Sequence, residues 1–235
     1  MGMGLWNSEW MRALRVGVVL SVTMMTTFVF AKGFPAAMEV SAGWEMQDVA
    51  RVPAGGKAVS SAGFRTDGWY GATVPGTVLT TLVNNHVYPE PLYGENNRPE
   101  IIPESLNQTS YWYRTEMTVP KAYKHRRVWV NFEGINYSAA VWVNGTEAGT
   151  VRGAFLRGRF DITGLAKPGK RMVLAVLVSP EPHAGVPHEH TLRDGVGKNG
   201  GITALDGATF LSTIGWDWLN AVWDRDTGIW QKVYL

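Results

Sequence analysis

The chain contains no cysteine, which excludes disulfide staples, thiol nucleophiles and any zinc site built on thiolates. The same absence rules out a lipid-anchored amino terminus of the bacterial lipoprotein kind, whose acceptor is a cysteine. A dominant charge is also missing. The 22 Lys and Arg residues nearly balance 20 Asp and Glu, for a formal charge of +2. The cations are spread along the chain. Their one short cluster, Lys121, Lys124, His125, Arg126 and Arg127, reads as a solvated turn between strands, so nucleic acid is not expected as a partner. There is no internal repeat and no low-complexity tract. The apolar stretch Val16 to Ala31 is diluted by Ser21, Thr23, Thr26 and Thr27 and falls short of the roughly 20 apolar residues that a spanning helix needs. What remains is a globular composition, 235 residues with 45% apolar and 18% charged, sufficient for one good-sized core.

The amino terminus has the layout of an export signal. Arg12 and Arg15 precede the apolar stretch, which closes on Val29-Phe30-Ala31, with small residues at the −3 and −1 positions of a cleavage site. The expected organisation is a signal peptide over residues 1–31, a linker over 32–43 and one domain over 44–235. A secreted or periplasmic location is expected, with an uncleaved anchor as the alternative reading of the same segment.

Beyond the signal the pattern is one of short strands broken by turn residues. Trp44 to Val52 is expected to open the fold as an edge strand, ended by Pro53 and a Gly55-Gly56 turn. Val78, Leu79, Leu82 and Val83 have helical spacing, with Thr77 or a neighbour at the helix start. Residues 86–110 are rich in Pro and Asn and predict a long irregular loop, the kind that often carries function on a rigid domain. Strands are expected at Tyr111 to Val119 and at Arg127 to Glu133, the latter with Val128, Val130 and Phe132 on one face. Tyr137, Ala139, Val141 and Val143 alternate into Asn144-Gly145, a pair suited to φ > 0 at both central positions of a tight hairpin into Thr146 to Val151. Phe155 to Ile162, Arg171 to Val178 and Ile229 to Leu235 complete the set. The near-continuous apolar run of Arg171 to Val178 predicts a strand buried on both faces. The fold class is therefore all-β, a jelly-roll β-sandwich with one or two short helices.

Four of the eleven Trp fall within residues 216–230. In Gly215-Trp216-Asp217-Trp218, two indoles flank one carboxylate. An indole stacks on the weakly apolar face of a pyranose, and a carboxylate accepts hydrogen bonds from neighbouring hydroxyls. The competing reading is that these rings fill a sandwich core while the aspartate serves a turn. Other chemistry is less well supported. His183, His188 and His190, with Asp194 nearby, lie in a segment interrupted by Gly185 and Pro187, so no metal site is assigned. Gly195, Gly197, Gly200 and Gly201 lack the following Lys-Ser or Lys-Thr of a phosphate-binding loop. No cofactor is expected. Asp217, Asp224 and Asp226 cluster, but each has a structural alternative, and no catalytic pair is assigned. No modification is read from the sequons at Asn107, Asn136 and Asn144.

Taken in order, Val74-Pro75-Gly76-Thr77, Pro91-Leu92-Tyr93-Gly94-Glu95-Asn96, Tyr111-Trp112-Tyr113-Arg114, Phe132-Glu133-Gly134, Val141-Trp142-Val143-Asn144-Gly145 and Gly215-Trp216-Asp217-Trp218 with Asp224-Arg225-Asp226-Thr227-Gly228-Ile229-Trp230 resemble the N-terminal sugar-binding domain of glycoside hydrolase family 2. The likeness is to the β-mannosidase, exo-β-glucosaminidase and mannosylglycoprotein endo-β-mannosidase branch, and covers roughly residues 44 to 235. It implies a galactose-binding-like jelly roll followed by an immunoglobulin-like domain and a (β/α)₈ barrel that holds the catalytic Glu residues, the first in an Asn-Glu pair. This chain has no Asn-Glu dipeptide and reads as the first piece of a longer enzyme, inactive alone, whose partners are a β-linked oligosaccharide or glycoside and the missing C-terminal domains. By the same resemblance, Asp217 accepts hydrogen bonds from sugar hydroxyls, Trp216 or Trp218 provides an apolar wall, and Asn96 contributes amide contacts. Asn220 and Trp223 depart from the relatives' usual Pro and Arg. A free-standing carbohydrate-binding module without hydrolase activity is the alternative.

Overall fold

The computed structural model describes residues 33–96, 100–182, 185–186, 202–203 and 227–235. The chain divides into two compact units, Met1–Phe34 and Pro35–Leu235. The first contributes only Gly33 and Phe34 to the described residues, so the architecture is that of the second. The expected signal peptide lies outside the described residues.

A six-stranded antiparallel sheet forms from β1 (Glu45–Asp48), β2 (Tyr70–Gly71), β3 (Tyr111–Thr118), β5 (Ser138–Val143), β6 (Thr146–Arg152) and β8 (Arg171–Ser179), in the order β2-β1-β3-β8-β5-β6. A three-stranded sheet, β11-β4-β7, comprises β4 (Trp129–Phe132), β7 (Gly158–Asp161) and β11 (Val233–Tyr234). A short pair, β9 (Gly185–Val186) with β10 (Ile202–Thr203), stands beside them in the chain order. Two short α-helices, α1 (Gly56–Val59) and α2 (Val78–Asn84), occur among the described residues. This is the expected all-β sandwich with short helices.

The principal core lies between the two sheets. Tyr113, Val141, Leu174 and Val176 of the larger sheet share one buried cluster with Val130, Phe132, Phe160 and Val233 of the smaller. Val128, Val130 and Phe132 do face inward together, while Trp129 between them is exposed, as period-two geometry requires. The other face of the larger sheet is covered too. Val52, Val59, Trp112 and Ala175 form a second cluster, joined by Phe64, Trp69, Trp142 and Leu177. This outer layer explains why β8, which pairs β3 on one side and β5 on the other, is apolar at nearly every position although its neighbours are antiparallel.

Several boundaries differ from expectation. Strand β1 stops at Asp48, whose carboxylate accepts the Ala50 N–H and starts a 3₁₀ turn over Val49–Arg51. It is not an edge strand, since the two-residue β2 pairs along its free side. The expected Gly55-Gly56 turn instead begins α1. Strand β7 begins only at Gly158 because Gly153, at φ +125°, turns the chain and leaves Phe155 and Leu156 exposed. The hairpin forms as expected: Asn144 and Gly145 adopt φ +48° and +84°. The Asn144 amide also donates to the Leu165 carbonyl and accepts from the Val173 N–H, which ties the turn to β8.

Candidate functional site

The segments that carry the resemblance are dispersed in sequence, and the fold gathers several of them around Thr227–Trp230. The Gly76 N–H donates to the Ile229 carbonyl at 2.9 Å, and the Val78 N–H to the Thr227 carbonyl at 2.8 Å. Asn136, two residues beyond the Phe132-Glu133-Gly134 segment, exchanges both backbone hydrogen bonds with Gly228, at 2.9 and 2.8 Å. A Cβ on Gly228 would stand 2.6 Å from the Gly76 carbonyl oxygen and 3.2 Å from the Tyr113 hydroxyl. Thr227 and Ile229 are buried. Trp230 donates its indole N–H to the Ala154 carbonyl at 3.1 Å and meets Phe155 edge to face. Its ring lies so close over Gly134 that a Cβ there would be 2.8 Å away. Trp230 is thus a packing residue, and Gly134 and Gly228 are sites of close backbone approach. A single sequence shows these glycines only as turn formers, because the groups that crowd them come from distant segments.

Helix α2 starts at this junction. Thr77 is its N-cap, and its hydroxyl accepts the Thr80 N–H at 3.0 Å, which satisfies one of the free donors at the helix start. Along the helix, Thr77, Thr80, Val83 and Asn84 form one wall of a cleft of about 250 Å³, with Glu90, Pro91 and Leu92 opposite. Asn96 closes the same loop: its amide donates to the Glu90 carbonyl at 3.0 Å and its backbone N–H to Tyr93 at 3.2 Å. Leu92 and Tyr93 are exposed. Trp216, Asp217 and Trp218 lie outside the described residues, as do His183, His188, His190, Asp194, Asp224 and Asp226. Among the described residues, no group of three His, Asp or Glu gathers as for a metal ion.

A family model described as glycosyl hydrolase 2 galactose-binding domain-like matches residues 44–231. The chain belongs to this family. It is 37% identical over 171 residues to a mannosylglycoprotein endo-β-mannosidase of Lilium longiflorum, across 71% of this chain and 17% of the relative. An exo-β-D-glucosaminidase of Streptomyces avermitilis is 30% identical over 197 residues, across 82% of this chain and 18% of the relative. Among solved structures, an exo-chitosanase of Amycolatopsis orientalis superposes with a TM-score of 0.61 at 28% identity, over 85% of this chain and 20% of that one. A β-D-mannosidase of Dictyoglomus thermophilum, at 22% identity and a TM-score of 0.59, shares the fold. The chain spans less than a fifth of the length of these curated relatives. Both the family and the fold agree with the resemblance read from the sequence.

Proposed function

We propose that this galactose-binding-like domain supplies the sugar-orienting rim of a secreted or periplasmic β-glycosidase acting on a β-mannoside or β-glucosaminide. In that role Asp217 accepts hydrogen bonds from hydroxyls of the non-reducing sugar, Trp216 and Trp218 stack against its apolar face, and Asn96 adds amide contacts. The bond is broken by carboxylates of a barrel encoded downstream. Contacts to remote hydroxyls fix the ring relative to those carboxylates, which is how binding energy away from the reacting atoms raises the rate.

The observation that carries the reading is the anchorage of Thr227-Gly228-Ile229. Buried and bonded on two sides, it fixes the chain at the N-terminal end of α2, nine positions after Trp218. The loop bearing Asn96 lines one cleft with that same helix. Family membership and the names of the relatives support the sugar class. In the complete enzyme, Asp217→Ala is expected to lower kcat/KM on a β-mannoside or β-glucosaminide at least tenfold with a melting temperature within about 2 °C of wild type, since a lost hydrogen bond to a ligand leaves the fold intact. A large fall in melting temperature would make Asp217 structural. If no barrel is encoded beyond Leu235, the free-standing module replaces the enzyme reading.

A further inference from the structure

The second half of the 86–110 loop forms a fixed wall. Ile102 and Leu106 are buried in the principal core, so the backbone between Glu100 and Thr109 is held against the sandwich. Between this wall and the first strands lies a cleft of about 320 Å³, within the size range of small-molecule sites. Four separate stretches of chain line it: Asp48 at the end of β1 with Arg51 in the turn that follows, Tyr70 in β2, Tyr88 after α2, and Thr109 in the wall. It opens at the C-terminal end of α2, whereas the Val78 N–H and its bond to the Thr227 carbonyl mark the other end. A helix of seven residues separates the two by about 10 Å.

The chemistry of the lining is specific. Asp48 is held by the Ala50 N–H at 2.7 Å, with the Thr109 hydroxyl 3.5 Å from the same carboxylate oxygen, which leaves the second oxygen for a ligand. Tyr70 and Tyr88 are half-buried and Arg51 is exposed. Among the described residues none of these three side chains is hydrogen-bonded or ion-paired. They are nonetheless close. Burial first, and then Tyr70, raise the ionisation of the Tyr88 hydroxyl above its ordinary value, while Arg51 draws it back. Two phenol rings offer apolar faces, and their hydroxyls, one guanidinium and one carboxylate offer donors and acceptors. Arg51 and Asp48 cancel in charge, so the cleft does not select an ion.

We propose that this cleft is a second carbohydrate-binding site, taking one neutral pyranose unit against Tyr70 and Tyr88, with Arg51 donating to its hydroxyls and Asp48 accepting from them. The site shares no residue with the Asp217 rim and stands independently of it.

The test is calorimetric titration of the purified full chain with methyl β-D-mannoside and methyl β-D-glucoside, with methyl β-D-glucuronide as the charged comparison. Binding of a neutral glycoside is expected to weaken at least tenfold in Arg51→Ala and Tyr88→Ala, to weaken severalfold in Tyr88→Phe, which keeps the ring, and to persist in Asp217→Ala. Arg51 is exposed, so its substitution leaves the core unaltered, and thermal melting checks that the Tyr88 variants remain folded. Binding lost in Asp217→Ala but unaltered in Arg51→Ala would place all recognition on the rim and overturn the second site while sparing the first. A glucuronide that binds tighter than both neutral glycosides, or no heat with any of the three, would equally overturn it.

Discussion

At Gly228 an added methyl group would lie 2.6 Å from the Gly76 carbonyl oxygen and 2.8 Å from the Thr77 Cα, on a backbone held at φ +151°. Both neighbours are main chain and cannot rotate away. Gly228→Ala is therefore expected to destabilise by about 2–4 kcal/mol, combining backbone strain with overpacking; a urea midpoint close to wild type would show that the junction is looser than drawn. Asp161 illustrates an electrostatic effect at the same scale. The Thr163 hydroxyl, the Arg127 guanidinium and the Thr163 N–H hold its carboxyl down to about 2, from an ordinary 3.8. A carboxyl depressed in the folded state stabilises fully above its unfolded value and loses that contribution as pH falls through the folded one. Any stability gap between wild type and Asp161→Asn should accordingly narrow as pH falls from about 4 to 2, followed by urea denaturation at each pH. A gap that widens on acidification contradicts the assignment.

Trp142 shows how an element acquires a neighbour that its own pattern does not disclose. Alternation in β5 sends Ala139, Val141 and Val143 to the principal core and Trp142 to the other face. There its indole lies against Gly56 of α1, where a Cβ would be 2.3 Å from the ring. Trp142→Ala is expected to cost about 2–4 kcal/mol, less than a fully buried ring because Trp142 is half-buried. Gly56→Ala alone should also destabilise. Combined with Trp142→Ala the same change should be nearly neutral, since the clash is gone and alanine is a better helix former than glycine. Strict additivity in that double-mutant cycle, measured by chemical denaturation, would mean that the helix and ring do not touch as described.

The two ends of the sandwich unit close the small sheet together. Met38 and Leu235 exchange both backbone hydrogen bonds at 2.9 and 2.8 Å, and the Val40 N–H donates to Val233 at 2.8 Å. The Tyr123 hydroxyl lies within hydrogen-bond distance of both the Ala36 and Leu235 carbonyls. Removal of residues 231–235 takes away β11, the middle of this arrangement, and uncovers Phe132 and Val130. The truncated chain is expected to lose cooperative thermal unfolding, with the dye ANS reporting exposed apolar surface; a sharp transition near that of the full chain would show the closure to be dispensable. The fold class, most strands, the Thr77 cap and the Asn144-Gly145 turn were legible because each rests on local chemistry: period-two alternation, a hydroxyl at a helix start, a left-handed pair. The candidate site was legible only as a set of motifs. Their common destination, the backbone around Gly228, is formed by residues more than a hundred positions apart.

Residue order by itself determined which stretches extend, which turn and which family they belong to, since side-chain period and turn conformation are decided within a few neighbouring residues. It could not determine that both faces of the larger sheet are covered, that β1 lies inside the sheet, or that Arg51, Tyr70 and Tyr88 line one cleft. Those features depend on which distant surfaces exclude water from one another, and only the packed tertiary structure brings such surfaces into contact.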